Sequence, residues 1–266
     1  MKTSFAFLLP CLSAALDPRC SQFAIDVTTN ATNHAYGLTG IDNDINIVSF
    51  VLDLSRWATI NQTGPSPPNL PVSGTFRIDV QLCVPPRGGG RSNTLHLLTH
   101  GLLADKQYWD VQEEQAGYST LSYDRLGTGL SDKPNASTVV QAPLQVEILR
   151  AITDTALRGT LSPAVDRSPG SYSPPASGPI QPFKHIVHIG HSYGSFITSA
   201  FIGSYGELSS AAIVTGYIPN SKMGLFSLAR FGLDYAPTNN PELYGDRTSG
   251  YVHHLAIYQS AGDFAD

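Results

Sequence analysis

His185-Ile186-Val187-His188-Ile189-Gly190-His191-Ser192-Tyr193-Gly194-Ser195-Phe196 is the stretch on which the reading of this chain turns. His185 to Ile189 has the length and β-branched content of a buried strand, and Phe196 to Leu208 is predicted to be a helix. Between them, Gly190-His191-Ser192-Tyr193-Gly194 fits G-x-S-x-G, a pattern that places a serine on a sharp strand-to-helix turn. A serine hydroxyl is a weak nucleophile, so it must project free of the sheet toward a base. A turn that tight demands unusual dihedrals and a close approach of strand and helix. Small residues at Gly190, Gly194 and Ser195 meet that demand. The helix N-terminus also places the Tyr193 N–H where an oxyanion would form. Ser192 is the candidate nucleophile, and His191 belongs to the turn that presents it.

Outward from this turn, apolar strands alternate with helical segments. Leu95 to Thr99 reads as a buried strand ending at His100-Gly101, and Tyr118 to Tyr123 as a second ending at Asp124. Pro143 to Leu157 carries Leu144, Ile148, Ala151 and Ile152 along one helical face, with proline suitably placed in the first turn. Ala211 to Thr215 is a fourth strand. That order predicts an α/β fold with a mostly parallel sheet covered on both faces. Residues 16–92 differ: Thr75 to Leu82 alternates apolar and polar side chains, which argues for antiparallel strands with one wet face. Asp44 to Trp57 has helical spacing, and Gly88-Gly89-Gly90 makes a turn into the core, 93–216. Two stretches fit poorly. Residues 101–117 leave little room for a crossover helix, and 159–182 is a long Gly/Pro/Ser-rich connection of a kind uncommon inside a compact domain.

His100-Gly101-Leu102-Leu103 follows its strand where a second oxyanion donor is needed. The Leu102 N–H is the first choice and Leu103 the second; such preorganised donors are worth about 3 kcal/mol each. Tyr123-Asp124-Arg125-Leu126-Gly127-Thr128-Gly129-Leu130-Ser131-Asp132 is the third motif. Taken in order, strand-His-Gly, Asp-Arg-x-Gly-x-Gly-x-Ser and Gly-His-Ser-x-Gly resemble the secreted fungal serine hydrolases of the α/β-hydrolase superfamily. The resemblance runs from about Cys20 to the C-terminus and includes Gln141-Ala142-Pro143-Leu144. It implies a Ser-His-Asp triad acting on esters or related acyl bonds, with no metal or organic cofactor. It also implies that Asp124 and Arg125 are structural, tying the loop beneath the active site.

In that superfamily the nucleophile is followed by the acid and then the histidine. After Ser192 the only histidines are His253 and His254. His254 is the candidate base within the chain, with Asp234 or Asp246 as partner. The stronger expectation is that acid and base lie beyond Asp266, that 217–266 begins a lid, and that the fourth strand is left as an exposed edge. On that reading the fold is incomplete and these residues alone hydrolyse esters little or not at all. The alternative is an inactive pseudo-hydrolase or ligand-binding module that keeps the pocket. Tyr217, Phe226, Phe231 and Tyr235 suggest an apolar acyl pocket for a small-molecule or lipid-like ester.

Composition narrows the classes further. The 266 residues are 41% hydrophobic and 14% charged, with net charge -5 and a pI near 5.9. No basic run is long enough to track a phosphate backbone, which excludes nucleic acid as an expected partner. Lys2, the apolar stretch Phe5 to Leu16, and Ser13-Ala14-Ala15 read as a signal peptide cleaved after Ala15. A twelve-residue stretch is too short for a transmembrane helix. Export leaves Cys20 and Cys83 as a pair expected to bridge. Sequons at Asn30, Asn61 and Asn135 are compatible with glycosylation. Gly127-Thr128-Gly129 hints at a dinucleotide fingerprint, but Asp132 stands where the third glycine belongs. His185, His188 and His191 cannot share a metal ion. On a strand His188 faces away from the other two, which sit about 20 Å apart.

Overall fold

The computed structural model describes residues 20–35, 41–50, 67–85, 91–110, 117–162, 181–217 and 233–254. The expected leader, residues 51–57, Asn61, the Gly88–Gly90 turn, 163–180 of the long connection, and Phe226 and Phe231 lie outside them.

A six-stranded sheet runs β1-β2-β4-β3-β5-β6. Strands β1 (Cys20–His34) and β2 (Asn69–Cys83) are longer than their sequence suggested and pair antiparallel along their whole length, from Cys20↔Cys83 to His34↔Asn69. Alternation fixes their register: Phe23, Ile25 and Val27 meet Phe76, Ile78 and Val80 in one core, whereas Asp26, Thr28 and Asn30 are exposed. The Cys20–Cys83 disulfide closes this hairpin at its open end, with the two Cα atoms 4.0 Å apart.

Strand β4 (Ser119–Tyr123) pairs antiparallel with β2 and parallel with β3 (Thr94–Thr99). Strand β5 (His185–His191) and then β6 (Ala211–Thr215) continue in parallel. The result is a mixed, mostly parallel sheet with flanking helices, the class that the order of elements predicted. Among the described residues, the connection from β3 to β4 holds one 3₁₀ turn, Lys106–Trp109, and no longer helix, as its short length requires.

Both long helices lie on one face of the sheet. Helix α1 (Ala142–Arg158) and helix α2 (Tyr193–Tyr205) bury Leu144, Ile148, Ile152, Ile197 and Phe201 against Leu95, Leu97, Leu121 and Ile186. On the opposite face, Leu98 and Ile189 pack under Trp109, with Tyr108 and Val187 beside them. Two-sided cover is therefore provided there, among the described residues, by a turn and not by a helix. Pro143 sits in the first turn of α1 as expected, and Gly159 ends the helix in the left-handed conformation (φ 66°). The ends of the long connection close on each other, since the Phe183 N–H donates to the Ala156 carbonyl at 3.1 Å. Residues 159–182 thus leave and rejoin the domain at nearly the same point, so a long segment there does not split the core.

The edge strand β6 is exposed throughout, with Ile213 at 48% and Val214 at 41%. A second, two-stranded sheet pairs β7 (Leu233–Tyr235) with β8 (Val252–His254), and the short helices α3 (Ala236–Asn239) and α4 (Pro241–Tyr244) lie between them in the chain. This sheet is anchored to the N-terminal part of the chain. Leu233, Tyr235 and Val252 pack on Ile41 and Ile47 of a segment whose residues 44–50 are helical. The Asp44 carboxylate accepts from the Tyr235 N–H at 2.7 Å. Tyr235 is thus part of a satellite core, which argues against its expected place in an acyl pocket.

Candidate active site

Ser192 has φ 54° and ψ −119°, a conformation that non-glycine residues adopt at a cost of about 1–3 kcal/mol. The packing around it imposes this geometry. A Cβ on Gly190 would lie 2.6 Å from the Gly194 carbonyl oxygen, and one on Gly194 would lie 2.0 Å from the Thr99 carbonyl oxygen. Helix α2 therefore starts in contact with the end of β3, and only glycine fits at these two points. Ser195 completes the join: its hydroxyl donates to the Thr215 carbonyl at 2.8 Å and accepts from the Thr215 N–H at 3.1 Å. The Ser192 N–H donates to the same carbonyl at 2.9 Å. Ser192 itself is half-buried. Its hydroxyl stands at a bend between strand and helix and is not sealed into the core.

The segment His100–Leu102 lies directly over this bend. A Cβ on Gly101 would sit 3.0 Å from the Ser192 Cβ and 3.5 Å from its Oγ. Two loops that are far apart in sequence thus meet at one hydroxyl, as the motifs demanded. Leu102 and Leu103 are partly exposed, and Leu103 takes a positive φ of 58°.

His100 is fully buried and performs a different task from a base. Its Nε2 accepts from the Arg125 backbone N–H at 3.1 Å, so Nε2 carries no proton and the neutral ring must hold its proton on Nδ1. Nδ1 is 2.9 Å from the Gly101 carbonyl oxygen and donates to it. Burial, with Arg125 and Lys106 nearby, holds the imidazole well below its ordinary range, in keeping with a neutral ring.

Arg125 is buried and spans the same region. Its Nε donates to the His100 carbonyl at 3.1 Å, one terminal nitrogen to the Gly101 carbonyl at 2.9 Å, and the other to the Gln145 side chain at 2.9 Å. The guanidinium lies 4.8 Å from the Tyr193 ring centroid. Asp124 ties the loop below. It accepts from the Lys106 and Leu130 N–H groups, and with Asp79 it flanks the buried Lys106 ammonium at 2.9 and 2.8 Å. Gly129 (φ 49°) must lack a side chain because a Cβ would fall 2.1 Å from the Asp124 carboxylate. The Ser131 hydroxyl donates to the Asp124 carbonyl at 2.6 Å and accepts from the Asp79 N–H at 2.9 Å. The Asp-Arg-x-Gly-x-Gly-x-Ser pattern is thus a knot joining β2, β4 and the 3₁₀ turn.

His191 leans the other way. Its ring stacks on Tyr108 at 4.9 Å, and its Nδ1 is 3.1 Å from the Thr215 hydroxyl. Gly216 (φ 56°) passes so close that a Cβ there would meet the ring at 2.7 Å. Phe196 and Tyr217 form an edge-to-face pair at 4.9 Å on the α2 side. Sequence reasoning overlooked Tyr108, Trp109 and Lys106. An aromatic pair in a connection too short for a helix was the available sign of the first two, and nothing in the sequence marks Lys106 as buried.

His185 is exposed, and its Nδ1 lies 3.4 Å from the Ser210 hydroxyl, whereas His188 is fully buried between Thr153 and Ser209. Among the described residues, no group of three or more His, Cys, Asp or Glu is placed to hold a metal ion. No described helix is long and apolar enough to cross a membrane. His254, the candidate base, has its backbone paired with Leu233, and Asp234 pairs with His253 across the same small sheet. The described contacts of that sheet run to residues 41–50 and to the loop after β4, where the Tyr251 hydroxyl donates to the Pro134 carbonyl. Asn30 and Asn135 are both exposed.

No family profile matches the chain, and no curated protein matches it. Among solved structures, it is similar to an epoxide hydrolase from Vigna radiata at 15% identity and a TM-score of 0.39, over 55% of this chain and 38% of that one. Epoxide Hydrolase A from Mycobacterium thermoresistibile aligns at 19% identity and 0.38, over 52% and 35%. A chain designated an aryl esterase from Burkholderia cenocepacia aligns at 22% and 0.37, over 52% and 42%. The chain therefore spans well under half the length of these neighbours.

Proposed function

We propose that this protein is a cofactor-free serine hydrolase of carboxylic esters or related acyl bonds. The observation that carries the reading is the bend at Ser192, whose hydroxyl faces the His100–Leu102 segment across a close-packed join. In this mechanism Ser192 Oγ attacks the acyl carbon and gives its proton to a general base. The carbonyl oxygen becomes an oxyanion held by the Tyr193 and Leu102 N–H groups. Collapse of the intermediate breaks the ester bond, and the departing alkoxide takes the proton. Water then releases the acid from Ser192 by the same steps in reverse.

The substrate is a small-molecule or lipid-like ester, received beside Phe196 and Tyr217 on one side and His191 and Tyr108 on the other. The superfamily order assigns the acid and base to segments after β6, and His254 is the candidate among the residues present. The protein is exported: the leader 1–15, the Cys20–Cys83 bridge and the sequons at Asn30 and Asn135 all suit an oxidising compartment.

A fluorophosphonate probe followed by peptide mapping tests the assignment. The expected result is a phosphonyl adduct on Ser192, absent in Ser192→Ala. Labelling at another residue, or none at all, overturns it. Binding of an ester analogue without labelling would instead favour a pseudo-hydrolase.

A further inference from the structure

The Gly101–Leu102 peptide is held in an unusual way. Its carbonyl oxygen has two lone pairs, and both are taken: Arg125 donates to it at 2.9 Å and the His100 Nδ1–H at 2.9 Å. A carbonyl engaged by two donors, one of them cationic, polarises its peptide and makes the N–H at the other end a stronger donor. That N–H belongs to Leu102. The same guanidinium also lies against the ring of Tyr193, which begins α2. One buried side chain therefore touches both segments that would supply the oxyanion donors.

We infer that Arg125 is a positioning residue of the oxyanion hole, acting through the Gly101–Leu102 peptide and the Tyr193 ring. It fixes the separation of the two donors and raises the hydrogen-bonding power of one of them. The inference rests on the proposed nucleophilic role of Ser192 and goes beyond it, because the sequence motif alone marks Arg125 as a loop anchor. The guanidinium is suited to this where an ammonium is not. It bonds two successive carbonyls and Gln145 at once from a planar fork. Gln145, itself buried in α1, orients the fork without neutralising it.

The test measures the rate of Ser192 phosphonylation by a fluorophosphonate in the full chain, and the ³¹P chemical shift of the adduct. Arg125→Lys keeps the charge but loses the fork. It is expected to slow labelling on the order of tenfold, a fraction of the 10²–10³ that a complete oxyanion donor is worth, and to move the ³¹P signal. Gln145→Glu keeps an acceptor for the guanidinium and offsets its charge. It should slow labelling and shift the signal in the same sense while leaving the thermal midpoint unchanged or raised. A purely structural role predicts no change in labelling for Gln145→Glu, so wild-type labelling in that variant overturns the inference even if Arg125→Lys fails to fold. Equal rates and shifts in all three proteins overturn it too. Failure of the wild type to label at Ser192 is a separate result, which removes the proposed function and this inference with it.

Discussion

Lowering the pH from 7.5 to 4.5 should remove stability through a single buried histidine, His188. The ring is fully buried, tilted against Phe201 with centroids 4.4 Å apart, with Nε2 3.0 Å from the Thr153 hydroxyl. With its proton on Nε2 the neutral ring donates to the Thr153 hydroxyl, whose own proton goes to the Leu149 carbonyl, and accepts at Nδ1 from the Ser209 hydroxyl at 2.8 Å. Burial pushes the imidazole down from 6.5 to about 4. Between these values the unfolded chain takes up a proton that the folded one refuses. Stability is therefore fully present above pH 6.5, falls as the pH drops toward 4, and levels off below it. A gap of that size corresponds to about 3 kcal/mol at the limit and roughly 2 kcal/mol at pH 4.5. Urea unfolding of the wild type and of His188→Gln at both pH values isolates this share, since His100 and the carboxylates are common to both proteins. The wild type should lose about 2 kcal/mol more than the variant over this interval. Equal losses would refute the reasoning, and so would a greater loss in the variant.

Gly194→Ala should cost about 3 kcal/mol or more, because its methyl would be driven into the Thr99 carbonyl at 2.0 Å; thermal unfolding measures the loss, and probe labelling of Ser192 should fall with it. Lys106→Met removes the cation between Asp79 and Asp124 and leaves two buried carboxylates without it. About 3–5 kcal/mol of destabilisation is expected at pH 7 by denaturant melts. Val214→Lys on the exposed edge should slow aggregation, followed by light scattering, while changing stability by less than about 0.5 kcal/mol.

Much of this architecture was legible in the sequence because its signals are local. An apolar run bounded by Gly190, with small residues at Gly194 and Ser195, can satisfy its sterics only as a strand, a sharp bend and a helix. The alternation of Thr75 to Leu82 announced an antiparallel strand, although its polar side is wet only at Thr75 and partly at Arg77, since Asp79 and Gln81 are buried. The Cys20–Cys83 bridge expected of an exported pair joins two directly paired positions at the open end of one hairpin. Motif order brought His100–Leu102 to Ser192, since both follow parallel strands that pair directly.

Other features depended on contacts between distant segments, and no periodicity encodes those. That α1 and α2 share one face follows from the paths of the crossovers, to which hydrophobic spacing is blind. Lys106 looks like an ordinary surface lysine until β2 and β4 bring Asp79 and Asp124 around it. Arg125 reads as a loop anchor until the fold stacks it on Tyr193 and aims it at Gly101. The sequence by itself determined most of the elements and the place of the candidate nucleophile on its bend, through steric and hydrophobic rules that act over a few residues. Tertiary structure alone decided which charges are buried and which peptide is polarised, because those depend on what the chain places within a few ångströms from far along its length.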